Sequence, residues 1–223
     1  MTFYAYLSCI IVGLLLSLFF FFFKRKYQLN EKSHDFIFFI ISYVLSFELY
    51  AFFLVEHGEK NVLVYNIFFV FGETILILIY LGTLIEAKRI KRNVIYFLAL
   101  FVVWAIINTL FIQAPTQMFQ QYTHLLGSLG VVLFSCYLMY SLFMADKAGN
   151  ASLLSMPHFW NIAAILFFYS GSFIYFGSLN VTWGLDEFYL TILASVNRFF
   201  AATLYLIFGF SYYSPLIFST KSD

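Results

Sequence analysis

Charge is what this chain has least of. Only 10% of its 223 residues are Asp, Glu, Lys or Arg, against about 25% in an ordinary soluble domain. Such scarcity excludes a water-facing surface over most of the length. The formal net charge is +1, so no basic stripe for nucleic acid exists. Cysteine occurs twice, as Cys9 and Cys136, each inside an apolar run. Two such residues read as packing, without the spacing of a disulfide framework or a metal site. Proline occurs three times, at Pro115, Pro157 and Pro215. All three sit at the edges of apolar runs, where a missing N–H does no harm to a helix.

Catalytic signatures are missing as well. The sequence has no His-Glu-x-x-His, no Gly-x-Ser-x-Gly and no paired Asp motif for a diphosphate. Its four histidines are never spaced i, i+4, so a zinc site has no obvious ligand set. The last apolar run has no lysine for a retinal Schiff base. A three-plus-one-plus-three sugar-carrier repeat finds no similarity between the corresponding segments. No metal and no cofactor is expected, and the balance is against an enzyme.

What is present is apolar. Hydrophobic residues make up 63% of the chain, gathered in seven runs at about 2–23, 35–55, 62–85, 94–112, 119–144, 156–179 and 188–212. Crossing the hydrocarbon core takes about 20 residues of helix. The reading is an all-α polytopic membrane protein, one domain over 1–223, built as a bundle of seven transmembrane helices. The first run is followed by Lys24-Arg25-Lys26. A secretory signal carries its charge before a shorter apolar core, so this run reads as a retained helix. Aromatics reach 23%, which fits lipid-facing bulk and interfacial anchoring, with Trp104, Trp160 and Trp183 among the anchors.

The basic residues give a topology. Lys24, Arg25, Lys26 and Lys32 flank the first connection, Lys88, Arg89, Lys91 and Arg92 fill the third, and Lys147 and Lys221 follow on the same side. These are ten of the 12 Lys and Arg, with Lys60 opposite and Arg198 inside the last run. The positive-inside rule then places the amino terminus outside and the carboxyl terminus in the cytoplasm of a cell inner (plasma) membrane.

Arg198 organises the polar residues. An arginine at mid-bilayer costs about 3 kcal/mol on insertion scales, so it demands a partner. Glu73 and Glu48 lie at comparable depth, Glu73 about 16 Å below its outer helix end at the helical rise. The expected pair is Arg198–Glu73, with Glu48 as the alternative partner. Asn108, His124, Ser170 and Ser172 fall in the same outer half, whereas Asn161 is the main polar residue of the inner half. Helical spacing supports inward faces at Asn66, Glu73 and Tyr80, at His124, Ser128, Val131 and Ser135, and at Thr191, Ser195, Arg198, Ala202, Tyr205 and Gly209. Small and polar faces let membrane helices approach. His34, His57 and His158 stand in or beside connections and read as solvated; His124 reads as an interfacial hydrogen-bonding residue.

The stretch Pro157-His158-Phe159-Trp160-Asn161, followed by Phe168-Tyr169-Ser170-Gly171-Ser172-Phe173, is similar to the sixth helix of the seven-helix membrane sensor modules associated with bacterial histidine kinases. The resemblance covers that helix and the topology. It implies a receptor-like sensory or signalling subunit with an outward-facing polar pocket. This chain has no signalling domain of its own, so output would pass through a separate protein such as a histidine kinase. Membrane lipid is an expected partner, and association with a second copy is left open. Two other readings stand beside it: a structural or assembly subunit of a membrane complex, and a small proton-coupled transporter using Glu48 or Glu73. A lipid-acting enzyme would have only Glu48, Glu73 and His124 for acid–base work.

Overall fold

A computed structural model describes residues 1–26, 32–147, 153–178 and 187–218. Among these all regular structure is helical, and seven helices are long and apolar enough to cross a membrane. We number them α1 (Phe3–Lys26), α2 (Lys32–Glu56), α3 (Val62–Leu84), α4 (Lys88–Phe111), α5 (Gln121–Lys147), α6 (Pro157–Ser178) and α7 (Glu187–Phe210). A 3₁₀ turn at Ser211–Tyr213 and a short helix at Ser214–Phe218 carry the chain on from α7. Residues 179–186, with Trp183, and Lys221 lie outside the described residues.

Each helix places one face on a shared apolar cluster and turns the rest outward. Ile10, Ile41, Tyr80, Val94, Val131, Phe168 and Leu204 bring all seven helices into that cluster. Helix α1 packs on α2 and α7, α7 on α6, and α6 on α5. Helix α3 sits among α2, α4 and α5. Helix α4 is the most peripheral, with only Val94, Phe101, Ala105 and Asn108 buried. In hydrocarbon no hydrophobic effect draws helices together, so close van der Waals contact must do it. The α1–α7 pair achieves this with glycine. A Cβ on Gly13 would meet the carbonyl of Tyr205, and one on Gly209 would meet the backbone of Gly13.

Helix α3 is not regular. Its first turn, Val62–Val64, is α-helical, Tyr65–Glu73 is π-helical, and Thr74–Leu84 is α-helical again. The wider turn has an identifiable support. The Tyr43 hydroxyl of α2 donates to the carbonyl of Phe68 at 3.0 Å, and the absence of a side chain at Gly72 leaves room for that hydroxyl. A side chain inserted at a helix carbonyl is a recognised cause of such distortion. The same segment holds the connection 112–120: Asn66 donates through Nδ2 to the carbonyls of Pro115 (2.7 Å) and Met118 (2.9 Å) and accepts the Gln120 N–H (2.9 Å).

At the end of the bundle opposite the amino terminus the structure corrects three expectations. Lys88, Arg89, Lys91 and Arg92 are not in a loop; they form the first turns of α4, all exposed. Apolar content alone had set the start near 94, but a long basic side chain extends to the interface while its backbone stays helical. His34 is fully buried, not solvated. Its Nε2 is hydrogen-bonded with Ser17 Oγ (3.0 Å) and the Ser17 carbonyl (3.1 Å), between the rings of Phe20 and Tyr212. Beside it Lys24 pairs with Asp35. His158 is likewise half-buried, with Nδ1 3.3 Å from the Tyr80 hydroxyl, whereas His57 is exposed as read.

Candidate functional site

The site is built where the amino-terminal turns of α1 approach α2, α3, α6 and α7. Helix α1 contributes Tyr6, α2 contributes Glu48, the π-helical part of α3 contributes Tyr65, and α7 contributes Asn197, Arg198 and Tyr205. They enclose a cavity of about 530 Å³, within the range of small-molecule pockets, about 300–1,000 Å³. Its remaining wall is mostly aromatic, including Phe69, Phe119, Phe168 and Phe176. Glu48 and Arg198 are its acid and its cation.

Glu48 is held by hydroxyls. Tyr6 donates to Oε1 at 2.8 Å and Tyr65 donates to Oε2 at 2.9 Å. Three helices are thereby tied to one carboxylate, which is 4% exposed. Glu73 lies fully buried at the end of the π-helical segment. The Tyr205 hydroxyl donates to Glu73 Oε1 at 2.9 Å, and Oε2 makes no hydrogen bond among the described residues. The rings of Tyr6 and Tyr205 are 6.5 Å apart, so the two acids are joined by two tyrosines side by side.

The expected Arg198–Glu73 ion pair does not form, and neither does the alternative with Glu48. Among the described residues Arg198 makes no ion pair and no side-chain hydrogen bond; it is exposed and lines the cavity. The physical reason is a substitution of donors. A buried carboxylate needs hydrogen bonds, and tyrosine hydroxyls supply them without a second buried charge. The guanidinium is left to the cavity.

The other sequence-predicted residues separate. His124 is fully buried behind the aromatic wall, with Nε2 2.7 Å from Ser172 Oγ and 3.2 Å from Ser128 Oγ. Phe69 and Phe176, which line the cavity, contact its ring at 5.0 and 4.6 Å. His124 and Ser172 are thus a support one layer outside the cavity. Asn108 belongs to an amide cluster at the end of α4, donating to Thr123 Oγ1 (2.8 Å) and Gln113 Oε1 (3.0 Å). Ser170 is half-buried, makes no side-chain hydrogen bond among the described residues and does not line the cavity. Asn161 donates to the Tyr80 hydroxyl at 3.0 Å, deeper in the bundle.

The inward faces on α3 and α5 hold: Asn66, Glu73 and Tyr80, and His124, Ser128, Val131 and Ser135, are all fully buried. On α7 the face turns inward from Ala202 and Tyr205 onward, while Thr191 and Arg198 are exposed. Sequence reasoning missed Tyr6 and Tyr65. A usable signal existed: the chain has 17 Tyr, and a bundle with two intramembrane acids and one cation must find other donors. No family model, curated protein or solved structure matches the chain.

Proposed function

We propose that this chain is a receptor-like sensory subunit of a bacterial plasma membrane. Its amino terminus and the cavity face outside, and its carboxyl terminus and the basic start of α4 face the cytoplasm. A small molecule enters the cavity and displaces α7 relative to α1–α3. The change reaches a separate partner, a histidine kinase or similar signalling protein, at the cytoplasmic ends. The observation that carries this reading is the cavity itself. A preformed pocket joins five helices around a guanidinium without an acid in contact among the described residues. A ligand that prefers one arrangement of those helices shifts the population toward it.

The test is output. Ala194 lines the cavity, so Ala194→Trp fills it. Purification from native membranes is expected to recover a histidine kinase, whose autophosphorylation changes in the Ala194→Trp chain. An associated kinase indifferent to that substitution contradicts the reading.

A second reading has one observation in its favour. Among the described residues Glu73 keeps an oxygen without a hydrogen bond, and Tyr205 touches both that acid and the cavity. A carboxyl one step below a pocket suits proton-coupled transport. Flux into liposomes that is unaffected by Glu73→Gln and Glu48→Gln removes it.

A further inference from the structure

The two charged groups of the cavity are not equally available. Glu48 is 4% exposed, and each of its oxygens accepts a tyrosine hydroxyl. Arg198 is exposed on the lining with five N–H donors and no acid in contact among the described residues. A guanidinium's planar fork matches a carboxylate or phosphate with two parallel hydrogen bonds. Next to it Asn197, also on the lining, has a buried Oδ1 without a hydrogen bond among the described residues, an acceptor for the O–H or N–H of an incoming molecule. Beyond these groups the wall is mostly aromatic.

We infer that the molecule this cavity takes is an anionic amphiphile, its single acidic head on Arg198 and its apolar body against Phe69, Phe168 and Phe176. The inference rests on the sensory reading above and narrows it to a ligand class. A cationic head is disfavoured, because it would approach Arg198 while the acid is already occupied. A neutral body would give the guanidinium's paired N–H donors no acidic acceptor and so forgo the two parallel hydrogen bonds. The head is either a free carboxylate arriving from the outer side or the acidic group of a lipid; both present the same chemistry to Arg198.

The experiment uses the full chain in nanodiscs of phosphatidylcholine, titrated with octanoate, octanol and octylamine. These share an eight-carbon body and differ in the head. Octanoate is expected to bind saturably and at least about tenfold more tightly than the other two, a modest factor for a partnered charge. Arg198→Gln brings octanoate down to the level of octanol, and Arg198→Lys retains part of the difference. Because Arg198 makes no ion pair and no side-chain hydrogen bond among the described residues, both variants are expected to remain monodisperse, which size-exclusion checks. Adding phosphatidylglycerol to the discs separates the sources. Competition with octanoate identifies a lipid head and its absence a free carboxylate, and either supports the anionic class. Equal binding of octanol or octylamine, or unchanged octanoate binding in Arg198→Gln, overturns it. The Ala194→Trp chain tells the two claims apart. If it blocks every probe while Arg198→Gln changes nothing, the pocket stands and the anion falls. If it alters none, the sensory reading falls too.

Discussion

The hydroxyl of Tyr205 on α7 donates to the carboxylate of Glu73 on α3 at 2.9 Å. This bond links the last helix to the third, and through the Tyr6 ring beside it to Glu48. A typical intramolecular hydrogen bond contributes about 0.5–1.5 kcal/mol net. Tyr205→Phe is therefore expected to destabilise the protein by about that amount, read as lower thermal stability in detergent. The asymmetry of buried polar groups gives the sharper check. Removing both partners, as Tyr205→Phe with Glu73→Leu, is expected to restore much of the loss. A double variant as weak as the sum of the singles would contradict the pairing.

Gly13 and Gly209 hold α1 against α7 by backbone contact. Overpacking such a contact costs about 1–3 kcal/mol. Gly13→Ala and Gly209→Ala are each expected to lower stability by an amount in that range. Gly177→Ala serves as the control, since its added Cβ would meet only Leu125 Cδ2 at 3.5 Å. Equal losses at all three positions would show that the α1–α7 approach is not the cause.

Gly72 leaves space for the Tyr43 hydroxyl at the π-helical turn. Gly72→Ala is expected to displace that hydroxyl and destabilise the fold. Tyr43→Phe alone loses one hydrogen bond, about 1 kcal/mol. Combined with Gly72→Ala it is expected to cost less than the two singles added, because the nearest clashing atom is gone and only the ring Cζ, at 2.9 Å, must shift. A thermal-unfolding double-mutant cycle measures this coupling, and strict additivity would mean that the two side chains do not meet.

The proposed orientation makes its own prediction. Lys60→Cys, in the connection before α3, is expected to react with a membrane-impermeant maleimide in intact cells. Arg89→Cys, at the start of α4, reacts only after permeabilisation. The reverse pattern places the amino terminus inside.

Much of the architecture was legible because bilayer thickness imposes a length on every span. Seven apolar runs became seven helices, and the heptad Asn66–Glu73–Tyr80 is buried as its spacing required. Helix starts were less legible where charge obscured them, as at Lys88. Within the site the acids were visible as charges in apolar sequence, but their partners were not. An ion pair is the obvious solution for Arg198 when only charges are counted. Tyrosine hydroxyls at Tyr6, Tyr65 and Tyr205 satisfy the two acids instead and leave Arg198 to the cavity, and a tyrosine in a membrane run is indistinguishable by hydropathy from an interfacial anchor. The π-helical turn had no sequence mark beyond Gly72, since its support comes from Tyr43 on another helix.

Native mass spectrometry of the chain released from its own membranes tests the cavity most directly. The wild-type protein is expected to retain one bound acidic molecule, lost in both Arg198→Gln and Ala194→Trp. Identical bound mass in all three chains, or none in the wild type, would contradict the account.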